Sequence, residues 1–209
     1  WVYHLYPDFD YLFVLSLLSA GIGFCVVSSI KNRQPQIIER NEPLSLDRFF
    51  LIKGWRAGIS IACFAFAYGV LSTYLAIYGK ETLGITSGTG TYFMLLAVGL
   101  MSSRLIGSRT LRQGKITQNA AVGVVISLVG YTLFAGVHEM WAYYLSALVI
   151  GLGNGHLFPA YQTMFINLAP HTQRGTANST LLTSWDMGIG LGILLGGVIA
   201  ESIGYEMAF

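Results

Sequence analysis

The stretch that decides the fold is LLTSWDMGIGLGILLGG, Leu181–Gly197. It is apolar and glycine-rich over nearly the length a membrane-crossing helix needs, about 20 residues at a rise of about 1.5 Å each. One residue breaks the pattern, Asp186. A carboxylate in hydrocarbon is costly, and such residues usually face a bundle interior or a water-filled path. Gly188, Gly192 and Gly196 recur every four residues and make a stripe suited to close helix packing. Asp186 lies elsewhere on the wheel, within about 60° of Ser179, Thr183 and Gly190. One face is therefore built to pack, and a second carries hydroxyls and a carboxylate.

The rest of the chain extends that reading. Of its 209 residues, 54% are hydrophobic and 11% charged, where soluble domains carry roughly 25% charged residues. Six segments read as spans: Tyr11–Ile30, Ala57–Tyr78, Ile85–Ser103, Ala120–Val137, Trp141–Leu168 and Leu181–Ala200. None alternates polar and apolar residues as barrel strands do. The expected fold class is all-α, a polytopic membrane helical bundle of six transmembrane helices. The chain opens at Trp1 without an initiator Met or a basic signal region, and it stops just after an apolar span. It reads as a piece of a longer protein.

Charge sets the expected orientation. Lys31, Arg33, Arg40, Arg48, Lys53 and Arg56 follow the first span, Arg104, Arg109, Arg112 and Lys115 the third, and Arg174 the fifth. Eleven of the 12 basic residues thus share one side, and Lys80 alone takes the other. The positive-inside rule places that side in the cytoplasm, so the expected location is the cytoplasmic membrane, crossed several times. Topology accounts for the basic loops without a nucleic-acid partner; the partners expected are lipid and a small-molecule substrate. Trp141, Tyr143, Tyr144, Tyr74 and Tyr78 stand at the outer ends of spans, where amphipathic rings settle. Between the first and second spans, Pro35 and Pro43 disfavour one continuous helix. Leu46, Phe49 and Phe50 then fit a short amphipathic helix on the inner leaflet. This connection reads as a linker between two bundles.

No HExxH, CxxC, GxSxG or Walker pattern occurs, so neither ATP-driven transport nor zinc hydrolysis has support in this stretch, and no cofactor or metal is expected. Cys25 and Cys63 fall inside apolar spans without Cys or His nearby and read as small buried residues. In the fifth span, Gly151 and Gly155 form a small-xxx-small pair, and Pro159 is placed to kink or unwind the helix. Asn154 shares a face with Tyr161, while His156, about 200° round, shares a face with Thr163. The two meet one narrow cavity only if the helix is distorted.

Two segments carry a family resemblance. SRLIGSRTLRQGK, Ser103–Lys115, resembles the short cytoplasmic-loop signature of the major facilitator superfamily, with Gly107 as its first glycine and Arg112, Gly114 and Lys115 closing it. Arg104 precedes it, and Leu111 stands at the signature's acidic position. GLGNGHLFPAYQTMFINLAPHTQRGTANST followed by SWDMGIGLG is similar to the penultimate helix pair of bacterial efflux-type members. The resemblance implies that the six spans are the sixth to eleventh of twelve. Residues 1–30 would close the N-terminal bundle, 31–53 would be the cytoplasmic linker with a possible interfacial helix, and 54–209 would form the C-terminal bundle lacking its last helix, which would start near GYEMAF. The partner implied is the missing N-terminal half of the same protein.

Such proteins bind substrate near the midplane between their halves. The second span is then a cavity liner, with Tyr68 and Tyr74 facing substrate alongside Asn154 and His156. The function implied is a secondary transporter of a small organic solute, an antiporter working outward and coupled to protons through Asp186, and not an enzyme. His156 and Asp186 sit at similar depths and so could share a polar environment. Rival readings are a nutrient or sugar importer or uniporter of the same fold, an intramembrane enzyme using Asp186 and His156 as acid and base, and a non-transporting receptor.

Overall fold

The computed structural model describes residues 9–30, 50–85 and 88–204. Most of the 31–53 linker, with Pro35, Pro43, Leu46 and Phe49, lies outside the described residues, as does GYEMAF beyond Gly204. The chain is all-α, and no strand occurs among the described residues. It divides into two units, Trp1–Pro43 and Leu44–Phe209. The first contains helix α1, Phe9–Ser28. Its Phe13, Leu17 and Phe24 are exposed, as expected of an apolar helix that its own unit does not cover.

The second unit holds five long helices. They are α2 (Trp55–Thr82), α3 (Thr89–Arg112), α4 (Ile116–Gly136), α5 (Met140–Leu168) and α6 (Arg174–Ile203). A single 3₁₀ turn leads into α2 at Ile52–Gly54, and another into α6 at His171–Gln173. Four stretches among the described residues are long and apolar enough to cross a membrane: Ile52–Thr82, Thr89–Arg112, Ile116–Gly136 and His171–Ser202. Helix α5 has the length, but Asn154, His156 and Gln162 dilute its apolar run. Helix α1 contributes only the shorter apolar run Phe13–Ser28.

Two boundaries differ from the hydropathy reading. Helix α3 begins after the polar ITSG and runs through Arg112, so most of the basic signature is helical rather than loop. Helix α6 begins at Arg174, well before the apolar run at Leu181. Backbone hydrogen bonding continues a helix into the interface, where polar side chains are solvated; hydropathy sees only the buried portion. The turn between α3 and α4 is made by Gly114, whose φ of +76° favours glycine.

Helix α5 is the hub of one group, packed closely by α3 and α4, while α2 pairs with α6; α5 joins the groups by lesser contacts with both. Glycine sets the crossings. A methyl at Gly151 would strike the Leu96 carbonyl of α3, and one at Gly130 would stand 2.6 Å from Ile150 Cγ1 of α5. The Gly188–Gly192–Gly196 stripe lies against α2: methyls at the first two would strike the carbonyls of Ala62 and Phe66, and one at Gly196 would stand 3.1 Å from Val70. Helices approach this closely only where Cβ is missing.

Two cores follow. One gathers Leu51, Ile61, Leu157, Tyr161, Phe165 and Leu181. The other gathers Leu71, Leu75, Tyr78, Tyr92, Phe134 and Tyr143. Leu51 ties the start of the α2 segment to α6, its backbone N–H donating to Thr180 Oγ1 at 2.8 Å. Cys25 and Cys63 are both exposed, contrary to the expectation that they are buried. An apolar span has one face for protein and another for lipid, and cysteine is compatible with either.

Candidate functional site

The polar residues of the bundle sort onto two sides of α5. Pro159 lacks the N–H that would otherwise bond the Gly155 carbonyl, yet Met140–Leu168 remains one α-helix. The helix is thus not unwound there, and Asn154 and His156 keep their separation of about 200°.

His156 faces α3 and α4. Its Nδ1 lies 3.0 Å from Asn119 Oδ1, and Asn119 Nδ2 donates to the His156 carbonyl at 3.0 Å. Gly107 of the basic signature covers this pair: a methyl there would stand 2.6 Å from His156 Nδ1. A cavity of about 180 Å³ adjoins them, bounded by Ser103, Arg104, Leu111, Asn119 and Pro159. Leu111, at the signature's acidic position, packs against the Leu51–Phe165 core. Arg104 and Arg112 on α3 are exposed, as are Gly114 in the turn and Lys115 at the start of α4.

Asn154 is on the opposite face, one turn from Phe158 and two from Tyr161. Tyr161 OH lies 2.5 Å from Ser60 Oγ of α2, so this face looks toward α2 and α6. There the rings of three helices converge. Trp185 of α6 lies 5.6 Å from Phe158, 5.8 Å from Tyr68 and 6.4 Å from Phe64, centroid to centroid. Phe64 also meets Tyr131 of α4 edge-on at 6.2 Å. Phe64, Tyr68, Phe158 and Trp185 are each only half-buried. Two polar atoms, Asn154 Oδ1 and Tyr131 Oη, are buried without a hydrogen-bond partner among the described residues.

Tyr74 is placed differently from Tyr68. Its hydroxyl donates to the Ile193 carbonyl at 2.7 Å, bracing the α2–α6 pair. Asp186 is exposed on α6 beside Ser179 and Thr183, about 100° round from Trp185. With α6 starting at Arg174, Asp186 lies about 18 Å along its helix, as His156 does from Leu168. Equal depth does not bring them together. His156 is buried against α3 and α4, whereas Asp186 stands on the open surface of α6. The shared polar environment expected of them is not formed within this chain. Two apolar hollows, of about 320 and 250 Å³, flank the α2–α6 crossing beside Ile59, Ala62 and Leu191; they offer little polar surface to orient a ligand.

The sequence reading missed Phe64, Tyr131, Phe158 and Trp185. On any single helix an aromatic residue passes for ordinary membrane filling, and the only signal available was the recurrence of rings at matching depth in separate spans.

Comparison with known proteins bears on this arrangement. Residues 119–209, which hold α4 to α6, match the model of the Major Facilitator Superfamily. Over that segment the chain is similar to the major facilitator superfamily. It is 22% identical over 200 residues to "Uncharacterized MFS-type transporter YhhS" of Salmonella enteritidis, covering 93% of this chain and 47% of that protein. It is 24% identical over 157 residues to an "Uncharacterized MFS-type transporter" of Pseudomonas aeruginosa, covering 73% and 37%. It is 29% identical over 129 residues to "Uncharacterized MFS-type transporter YfiU" of Bacillus subtilis, covering 59% and 24%. The chain spans about half the length of the YhhS relative that it matches. That similarity, together with the long apolar helices, supports a multi-pass membrane protein related to transporters.

Proposed function

We propose that the chain forms one wall of a secondary transporter that moves a small organic solute outward across the cytoplasmic membrane, coupled to protons. In this reading 54–209 is the C-terminal bundle without its last helix, α1 ends the N-terminal one, and residues 31–53 link the two on the cytoplasmic side. The observation that carries it is the half-buried face of Phe64, Tyr68, Phe158 and Trp185, from α2, α5 and α6, with Asn154, one turn from Phe158 on α5, holding an unpartnered Oδ1. Solute binding near the midplane between two halves needs such a face, partly open, on each half. Tyr68 and Asn154 contact the solute, Tyr74 and His156 hold helices in place, and Asp186 exchanges the coupled proton. Proteoliposome flux of the whole transporter, with and without a pH gradient, tests this. Outward flux driven by the gradient is expected. Gradient-independent flux would make it a uniporter, inward accumulation an importer, and the absence of flux for every solute tried would overturn the carrier reading.

A further inference from the structure

The same aromatic face narrows the class of solute, an inference that rests on the carrier reading above. We propose that the solute is a neutral organic molecule with an aromatic ring and a hydrogen-bond donor, the ring stacking at Trp185 and Tyr68 and the donor meeting Asn154.

Three observations converge. The first is the rings. Trp185 is the centre of the group, with Phe158, Tyr68 and Phe64 all within 6.4 Å, and each ring keeps part of its surface uncovered. Offset or edge-on contact with another ring is the favoured way to cover such surface.

The second is charge. Helix α5 contains no Asp, Glu, Lys or Arg, and α2 has none between Arg56 and Lys80. Asp186, the only acidic residue of α6 before Glu201, is turned about 100° away from Trp185. A charged solute taken from water into this face would find no countercharge beside the rings on α2, α5 or α6 among the described residues, and an uncompensated charge in such a setting is strongly disfavoured.

The third is the unpaired acceptor. Asn154 is 95% buried by its 5% exposure, and its Oδ1 has no hydrogen-bond partner. Buried polar atoms are almost always paired, and an orphan needs a partner. An acceptor calls for a donor, and Tyr131 Oη, a second orphan beside Phe64, offers a further polar contact. A site holding an orphan acceptor discriminates against analogues that lack the donor.

Binding to the whole transporter in detergent, measured by titration calorimetry, tests the proposal with simple probes: indole, N-methylindole, benzoate, tetramethylammonium and glucose. Indole should bind, N-methylindole roughly tenfold more weakly for want of its N–H, and the two ions and the sugar not measurably. Asn154→Leu should abolish the difference between the two indoles, and Trp185→Ala should weaken both. If Asn154→Leu fails to fold, the indole ratio in the unaltered protein still decides. Equal binding of the two indoles, tighter binding of an ion or of glucose, or no binding of any probe overturns the proposal. Flux of a sugar or an ion in proteoliposomes, with no affinity for indole, would overturn this solute class while leaving the carrier reading standing.

Discussion

Asn119 of α4 grips His156 of α5 twice, its amide nitrogen on the backbone carbonyl and its amide oxygen on Nδ1, each at 3.0 Å. The gripped carbonyl lies one residue beyond that of Gly155, which Pro159 leaves without its helical donor. The pair therefore fastens α4 to α5 where the helix is weakest.

Replacing Asn119 by Leu removes both bonds and leaves the buried His156 Nδ1 without its partner, while the His156 carbonyl keeps its helical N–H. A loss of about 1–3 kcal/mol is expected, read as a lower thermal midpoint in detergent. Solute affinity should hold. A large drop in affinity at an unchanged midpoint would instead give His156 a direct role with solute.

Gly107 belongs to the same contact. A methyl there would stand 2.6 Å from His156 Nδ1 and 3.3 Å from Asn119 Oδ1. Gly107→Val should cost about 1–3 kcal/mol by overpacking, and Gly107→Val with His156→Ala should cost less than the two changes summed. Strict additivity in the thermal midpoints would show that the two residues do not touch.

Gly192 faces the Phe66 carbonyl across the α2–α6 crossing. A leucine there forces the helices apart, so Gly192→Leu should lower folded yield in membranes, while Leu194→Ala, at an exposed position of the same helix, should not. Full yield from Gly192→Leu would place the crossing elsewhere.

Asp186 stands open on α6 with Ser179 and Thr183. Asp186→Asn keeps the side-chain volume and removes the proton-binding group. The folded protein should then still exchange solute by counterflow but fail to expel it against a gradient when protons are the only drive. Undiminished proton-driven expulsion would move the coupling site to another residue.

Topology is open to labelling. Cysteines at Arg112 and Arg174 should react with an impermeant thiol reagent from the cytoplasmic side only, and one at Lys80 from the other only, in a background without Cys25 and Cys63. Labelling of positions 80 and 112 from the same side would contradict the arrangement of α2 and α3 as neighbouring spans.

The sequence by itself determined the helical class and the approximate spans, because a membrane helix demands a long apolar run and none of these runs alternates as a barrel strand would. It also separated Asn154 from His156, since two residues two apart on a helix cannot share a narrow face. Tertiary structure decided the rest. Whether Cys63 meets protein or surroundings, and whether the Gly188 stripe meets α2 or another helix, depends on partners far along the chain. Asp186 and His156 illustrate the limit: depth follows from counting residues, but proximity also needs the rotation and neighbour of each helix. The aromatic face was illegible for the same reason, since Phe64, Phe158 and Trp185 become one surface only when α2, α5 and α6 pack together.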